Sequence, residues 1–371
     1  MPRRLLILLA AALGAALLVA VWGQTAGGDA GAPFAEAENA PPLTIDQAVG
    51  QRMVFPYAGL EPPQELVERI ARGEAAGVIL FARNVQSVEH VRTVVDRLQA
   101  IERPPGLDAP LLVMVDQEGG AVRRIPGAPE QPAPVQARGG PDAVREAGRA
   151  AAATLSAAGV NLDLAPVVDI ARPGSAMARE NRAYASEPEA VSELGVAFTE
   201  GLHDGGLAAT AKHFPGFGEA TVNTDNAPTQ VELPLDQLRD VDAAPFEAQI
   251  DAGVEAIMMS TAAYPALDPR PAAFSDRWIK GELRDRLGFE GVVITDDLQT
   301  PAVVRFGAAG QLAYYAMRAG VDLPLFAKDY ADAARAAEAL ERAARDGSLA
   351  RDELDRGALR VLGLRQSLGE G

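Results

Sequence analysis

Three short stretches of this chain bring together residue types that do ionic and acid–base chemistry. "VDQEGG" (Val115–Gly120) holds two carboxylates, "KHFPG" (Lys212–Gly216) sets a lysine against a histidine, and "TDDL" (Thr295–Leu298) carries two aspartates in a row. Lys212 and His213 are each one of only three residues of their type in 371, basic charge elsewhere being almost all arginine. A carboxylate near cations stays ionised and serves as a nucleophile or as a stabiliser of developing positive charge. A lysine and a histidine at one point can grip hydroxyl groups by charged hydrogen bonds. A lysine with a lowered pKa can instead form a Schiff base, as in a class I aldolase. A metal-dependent hydrolase needs a cluster of histidine and carboxylate ligands, and with His90 and His203 on helical, solvent-facing patterns no such cluster is expected. No metal and no cofactor is therefore expected.

Each of the three stretches ends a short apolar run. Eight such runs follow one another: Gln51–Phe55, Gly77–Ala82, Leu111–Val115, Asn161–Val168, Leu207–His213, Glu255–Met259, Gly291–Thr295 and Val321–Phe326. They lack strict alternation, as strands buried on both faces do. Helical patterns separate them, among them Ser87–Ala100, Asp142–Ala157 and Pro188–His203. Asp329–Arg345 follows the last run, and Asp352–Ser367 closes the chain. The order predicts an α/β protein with a single (β/α)8 (TIM) barrel over residues 44–371. No Gly-x-Gly-x-x-Gly follows a strand, which argues against a dinucleotide fold. In such barrels chemistry sits where strands end, so the three stretches meet at one mouth. An aspartate after a strand is often only a cap for the next turn, and Asp297 fits that description.

The balance of 34 basic and 51 acidic residues gives a net charge of −17, with no basic block beyond the first residues. That excludes a nucleic-acid backbone as partner. The chain has no cysteine, hence no disulfide, thiolate site or lipid-bearing cysteine. Arg3 and Arg4 precede an apolar run from Leu5 to Trp22. This pattern predicts export, with residues 1–23 either a cleaved signal peptide or a membrane anchor through residues 5–22, and residues 24–43 a linker. The remainder is expected outside the cytoplasmic membrane. Oligomeric state leaves no trace in the sequence.

From about Thr44 to Leu364 the chain resembles the family 3 glycoside hydrolases, in particular the bacterial β-N-acetylhexosaminidases with a single barrel. "GVILFARN" (Gly77–Asn84), "VDQEGG", "NLDLAPVVDI" (Asn161–Ile170), "KHFPG" and "GVVITDDL" (Gly291–Leu298) stand in the family's order and spacing. The resemblance implies a retaining β-glycosidase acting through a covalent glycosyl-aspartate. Asp296 matches the family's nucleophile, and Asp116, Arg182, Lys212 and His213 match its sugar-binding positions. An exported member implies an oligosaccharide or peptidoglycan-derived substrate.

One element departs from the family. Its hexosaminidases continue "KHFPGHG" and carry an Asp-Ser-His on the same loop, whose histidine is the acid/base. Here Phe217 replaces the first histidine, and Asn223-Thr224-Asp225 stands where the Asp-Ser-His would be. Asp225 is the first candidate for the acid/base, on a loop in which Gly216 and Gly218 are expected to permit movement. Glu219 on that loop is the second. The third reading is a glycan-binding protein with degraded catalysis, and the change also opens other β-glycosidase specificities.

Overall fold

The computed structural model describes residues 42–369; the expected export segment, residues 1–23, and all but the last two residues of the expected linker, residues 24–43, lie outside them. Near the start of the described residues stands a capping box. Thr44 Oγ1 accepts the backbone N–H of Gln47 at 3.1 Å, and Gln47 Oε1 accepts that of Thr44 at 3.1 Å. Two orphan donors of the first helix, Ile45–Gly50, are thereby satisfied.

Seven parallel strands form one curled sheet in the order β1 (Val54–Phe55), β2 (Gly77–Ile79), β3 (Leu112–Val115), β6 (Leu162–Asp163), β7 (Ala208–Phe214), β8 (Ala256–Met259) and β11 (Val292–Thr295). Two antiparallel hairpins interrupt the series. β4 (Gln117–Gly119) pairs with β5 (Val122–Arg123), and β9 (Ala263–Tyr264) with β10 (Asp268–Pro271). The last predicted strand, Val321–Phe326, makes only single bridges, Leu323 to Ile294 of β11 and Leu325 to Val54 of β1. Pro324 between them has no N–H to donate, which breaks the ladder. Even so, these bridges join the two edges of the sheet. The predicted Asn161–Val168 strand shortens to β6 for a similar reason, since Pro166 lacks a donor and only Val167 bridges to Lys212 beyond it.

Alternate strand residues fill the inside of the curl. Val54, Ile79, Leu112, Met114, Leu162, Ala208, Ala256, Met258, Val292, Ile294, Leu323 and Leu325 form one buried cluster. Their neighbours, such as Val113, Val115 and Val293, pack outward against the helices. Both faces are apolar, which is why the runs show no alternation. The helices lie close to where the spacing predicts them: Val88–Gln99, Gly140–Ala157, Pro188–Asp204, Tyr330–Arg345 and Arg351–Ser367. Ser87 and Asp329 cap two of them through side-chain oxygens, on His90 N at 3.1 Å and Asp332 N at 2.9 Å. Among the described residues no helix is long and apolar enough to cross a membrane.

Candidate active site

The C-terminal ends of the strands surround a cavity of about 410 Å3. Asp116, Arg182, Lys212, His213, Asp225 and Asp296 all line it, so the six residues chosen from sequence converge on one space. They come from the ends of β3, β7 and β11 and from two loops. Only the sheet brings them together.

Lys212 is buried at the floor, and its ammonium lies 2.7 Å from Asp116 Oδ1 and 2.7 Å from Glu118 Oε1. Glu118 in turn receives two bonds from Arg182, Nε at 2.9 Å and Nη2 at 2.8 Å. Burial alone pushes a carboxyl up. The Arg182 and Lys212 charges outweigh it and hold Glu118 well below the usual carboxylate range. Burial likewise pulls the Lys212 ammonium down, and Asp116 and Glu118 reverse this, leaving it raised and charged. A Schiff-base lysine needs the opposite shift, so the aldolase reading fails here. Glu118 sits inside the quoted "VDQEGG", yet nothing in its spacing reveals that it, rather than Asp116 alone, ties Lys212 to Arg182.

The β4–β5 hairpin is held by the buried Gln117. Its Oε1 accepts the N–H groups of Arg124 and Ile125 at 3.0 and 3.1 Å, and its Nε2 donates to the carbonyls of Ile125 and Ala128, both at 2.9 Å. This aims Arg124 into the cavity, where it lies 3.8 Å from Asp116 Oδ2. Sequence reading missed Arg124, since one arginine among so many carries no signal.

His213 donates Nδ1–H to Asp169 Oδ2 at 2.7 Å. Asp169 Oδ1 also accepts the backbone N–H of Phe217 at 2.6 Å and of His213 at 3.3 Å. The imidazole is thus fixed with Nε2 free for the cavity. Phe217, where the family has histidine, is buried and packs edge-on against the His213 ring at 6.0 Å between centroids.

The two aspartates of "TDDL" are unlike. Asp297 Oδ1 accepts Gln299 N at 2.9 Å and Ala327 N at 3.0 Å, stitching the β11 loop to the last strand segment. Burial, with Asp296 nearby, pushes its carboxyl up to about 7. Asp296 accepts one bond, from Asp297 N at 2.8 Å, and otherwise faces the cavity.

The loop after β7 is tied down rather than free. A Cβ on Gly218 would stand 2.1 Å from the Ile170 carbonyl oxygen, so glycine there permits close packing. Ala176 N donates to Ala220 O at 2.7 Å, and the Arg179 guanidinium bonds the Thr221 carbonyl. Asp225 is exposed at the mouth with its carboxyl on the cavity wall. Partial loss of water there, together with the charge of Asp296, raises it above the ordinary aspartate range, against the pull of Arg182 and His213. Glu219 does not line the cavity. It faces Arg172, 3.6 Å away, which is itself paired with Asp242. His203 is likewise no bland surface residue, since its Nε2 lies 3.1 Å from Glu255. Among the described residues no group of histidines and carboxylates is arranged to hold a metal.

A curled parallel α/β sheet thus gathers carboxylates, a lysine and a histidine around one cavity at the strand ends. The family described as glycosyl hydrolase family 3, N-terminal domain, matches residues 44–364, and the chain belongs to that family. It is 38% identical over 346 residues to an uncharacterized secreted glycosyl hydrolase of Arthroderma benhamiae, covering 89% of this chain and 96% of that one. Among solved structures it is similar to a β-N-acetylhexosaminidase of Beutenbergia cavernae (TM-score 0.81, 32% identity, 88% of this chain and 99% of that one). A family 3 β-N-acetylglucosaminidase of Paenibacillus sp. matches with a TM-score of 0.82 and 33% identity over 89% of this chain, which spans 64% of that longer protein.

Proposed function

We propose that this protein is a retaining β-N-acetylhexosaminidase that removes terminal β-linked sugars from cell-wall or related glycans. The observation that carries the reading is the shared cavity, with Asp296 on one wall, Asp225 at the mouth and the Asp116–Lys212–Glu118–Arg182 network at the floor. The charged floor suits a sugar ring, whose hydroxyls exchange bonds with carboxylates and cations. In the first step Asp296 attacks the anomeric carbon while the bond to the leaving oxygen breaks, and protonated Asp225 gives that oxygen its proton. In the second, Asp225 takes a proton from water, which attacks the same carbon and releases Asp296. His213 Nε2 and Arg124 hold the ring in place.

The similarity to enzymes of N-acetylhexosamines supports the sugar, and similarity to a secreted hydrolase supports export. We read residues 1–23 as the export or anchor segment and residues 44–371 as a (β/α)8 barrel whose eighth stave is the Val321–Phe326 segment. The test is a panel of nitrophenyl glycosides, N-acetylglucosaminide against glucoside and xyloside, with Asp296→Ala as control. Preference for the N-acetyl substrate is expected. Preference for another sugar gives a different β-glycosidase, and no turnover of any glycoside, with glycans still bound, leaves a binding protein.

A further inference from the structure

Where the family has an Asp-Ser-His, this chain has Asn223-Thr224-Asp225, and the asparagine is not idle. Its Nδ2 donates to both carboxylate oxygens of Glu180, at 3.1 and 3.0 Å. Its Oδ1 accepts the backbone N–H of Asp225 at 3.0 Å, an Asx turn that fixes the chain direction at Asp225. Glu180 lies on the loop after β6, and it and Asn223 line the cavity beside Asp225. Glu180 also lies 3.5 Å from Arg182 Nη1, on the side away from Glu118. One side chain thus links the sugar-gripping arginine to the loop carrying Asp225. Two further ties of this loop, Ala220 to Ala176 and Thr221 to Arg179, reach the same neighbouring segment.

We propose that Glu180 is a positioning residue for the general acid, gripping Asn223 so that the Asx turn aims Asp225 at the leaving group. The inference rests on the reading of Asp225 as acid/base. A carboxylate bonded to an amide makes a charge-assisted pair, stronger than neutral bonds between surface side chains. A loop so held needs no swing to deliver its proton, and a small displacement of a catalytic group is costly in rate.

The experiment compares Asn223→Ala, Glu180→Ala, Glu180→Gln and Asp225→Ala on two substrates of one sugar, one with a poor leaving group and one with an activated dinitrophenyl group. Proton donation matters for the first and little for the second. Asn223→Ala breaks the clasp without touching Arg182, and it is expected to lower kcat for the poor leaving group about tenfold or more relative to the activated one. KM and melting temperature should stay close to those of the unaltered protein. Glu180→Gln, which keeps an acceptor, should retain more of the ratio than Glu180→Ala. An equal loss on both substrates, or none, overturns the positioning role. If Asp225→Ala shows the leaving-group signature and the clasp variants do not, this inference alone falls. If Asp225→Ala lacks it too, the acid assignment falls as well.

Discussion

Asp169 and His213 meet at 2.7 Å, Oδ2 to Nδ1, and that contact decides which ring nitrogen faces the cavity. Asp169 is fully buried, and its other oxygen is occupied by the backbone N–H groups of His213 and Phe217. An asparagine could keep those two bonds through its own oxygen. Its amide, however, would present N–H to Nδ1 and move the ring proton to Nε2. Asp169→Asn is therefore expected to fold and to lose about tenfold in kcat/KM, the worth of one wrongly paired hydrogen bond. With only three histidines in the chain, nitrogen-15 spectra of the imidazoles can read the tautomer directly. An unchanged His213 tautomer would contradict the account.

Lys212 is an ammonium enclosed by two carboxylates, each at 2.7 Å. Removing one partner of a buried ion cluster leaves the others uncompensated and costs about 3–5 kcal/mol. Lys212→Met should lose stability on that order in urea denaturation, besides raising KM. A loss below about 1 kcal/mol would mean that Arg182 and solvent compensate for the missing charge.

Asp297 gives the protein a pH dependence of known sign. An aspartate in the unfolded chain ionises near pH 4, whereas burial holds the Asp297 proton up to about 7. Between those values the folded state binds more protons than the unfolded state, so this residue's stabilisation is complete below pH 4 and fades as the pH rises to 7. The swing is at most about 4 kcal/mol. Asp297→Asn keeps an oxygen for Gln299 and Ala327 and should flatten that part of the stability profile. Equal slopes for the two proteins between about pH 4 and 7 would exclude the residue as the source.

Asp296 and Asp297 are adjacent but differently placed, Asp297 accepting the backbone N–H groups of Gln299 and Ala327 while Asp296 accepts one bond and faces the cavity. A 2-fluoro glycoside with a good leaving group should leave an ester on Asp296, visible by peptide mass spectrometry. An ester on Asp297, or an inverted product, would break the assignment. Glu219→Ala, by contrast, should change turnover less than about threefold, since Glu219 faces Arg172 outside the cavity.

The strand–helix alternation, the helix starts at Ser87 and Asp329 and the place of Asp116, Arg182, Lys212, His213, Asp225 and Asp296 at the cavity were legible in the sequence, because each depends on local pattern or on motifs whose residues are contiguous. Local order could also warn that Pro324 would spoil a ladder, though not that Leu323 and Leu325 would still bridge both sheet edges. What the tertiary structure alone decided is which residues touch across large separations. Glu118 finds Lys212 and Arg182, Asp169 finds His213, and Glu180 finds Asn223, pairs between 43 and 94 positions apart by the numbering. Ion pairs and hydrogen bonds depend on distances of a few ångströms and on burial, and neither is written in the spacing of residues along the chain. The same reason separates Asp225 from Glu219, six residues apart on one loop, of which only Asp225 faces the cavity.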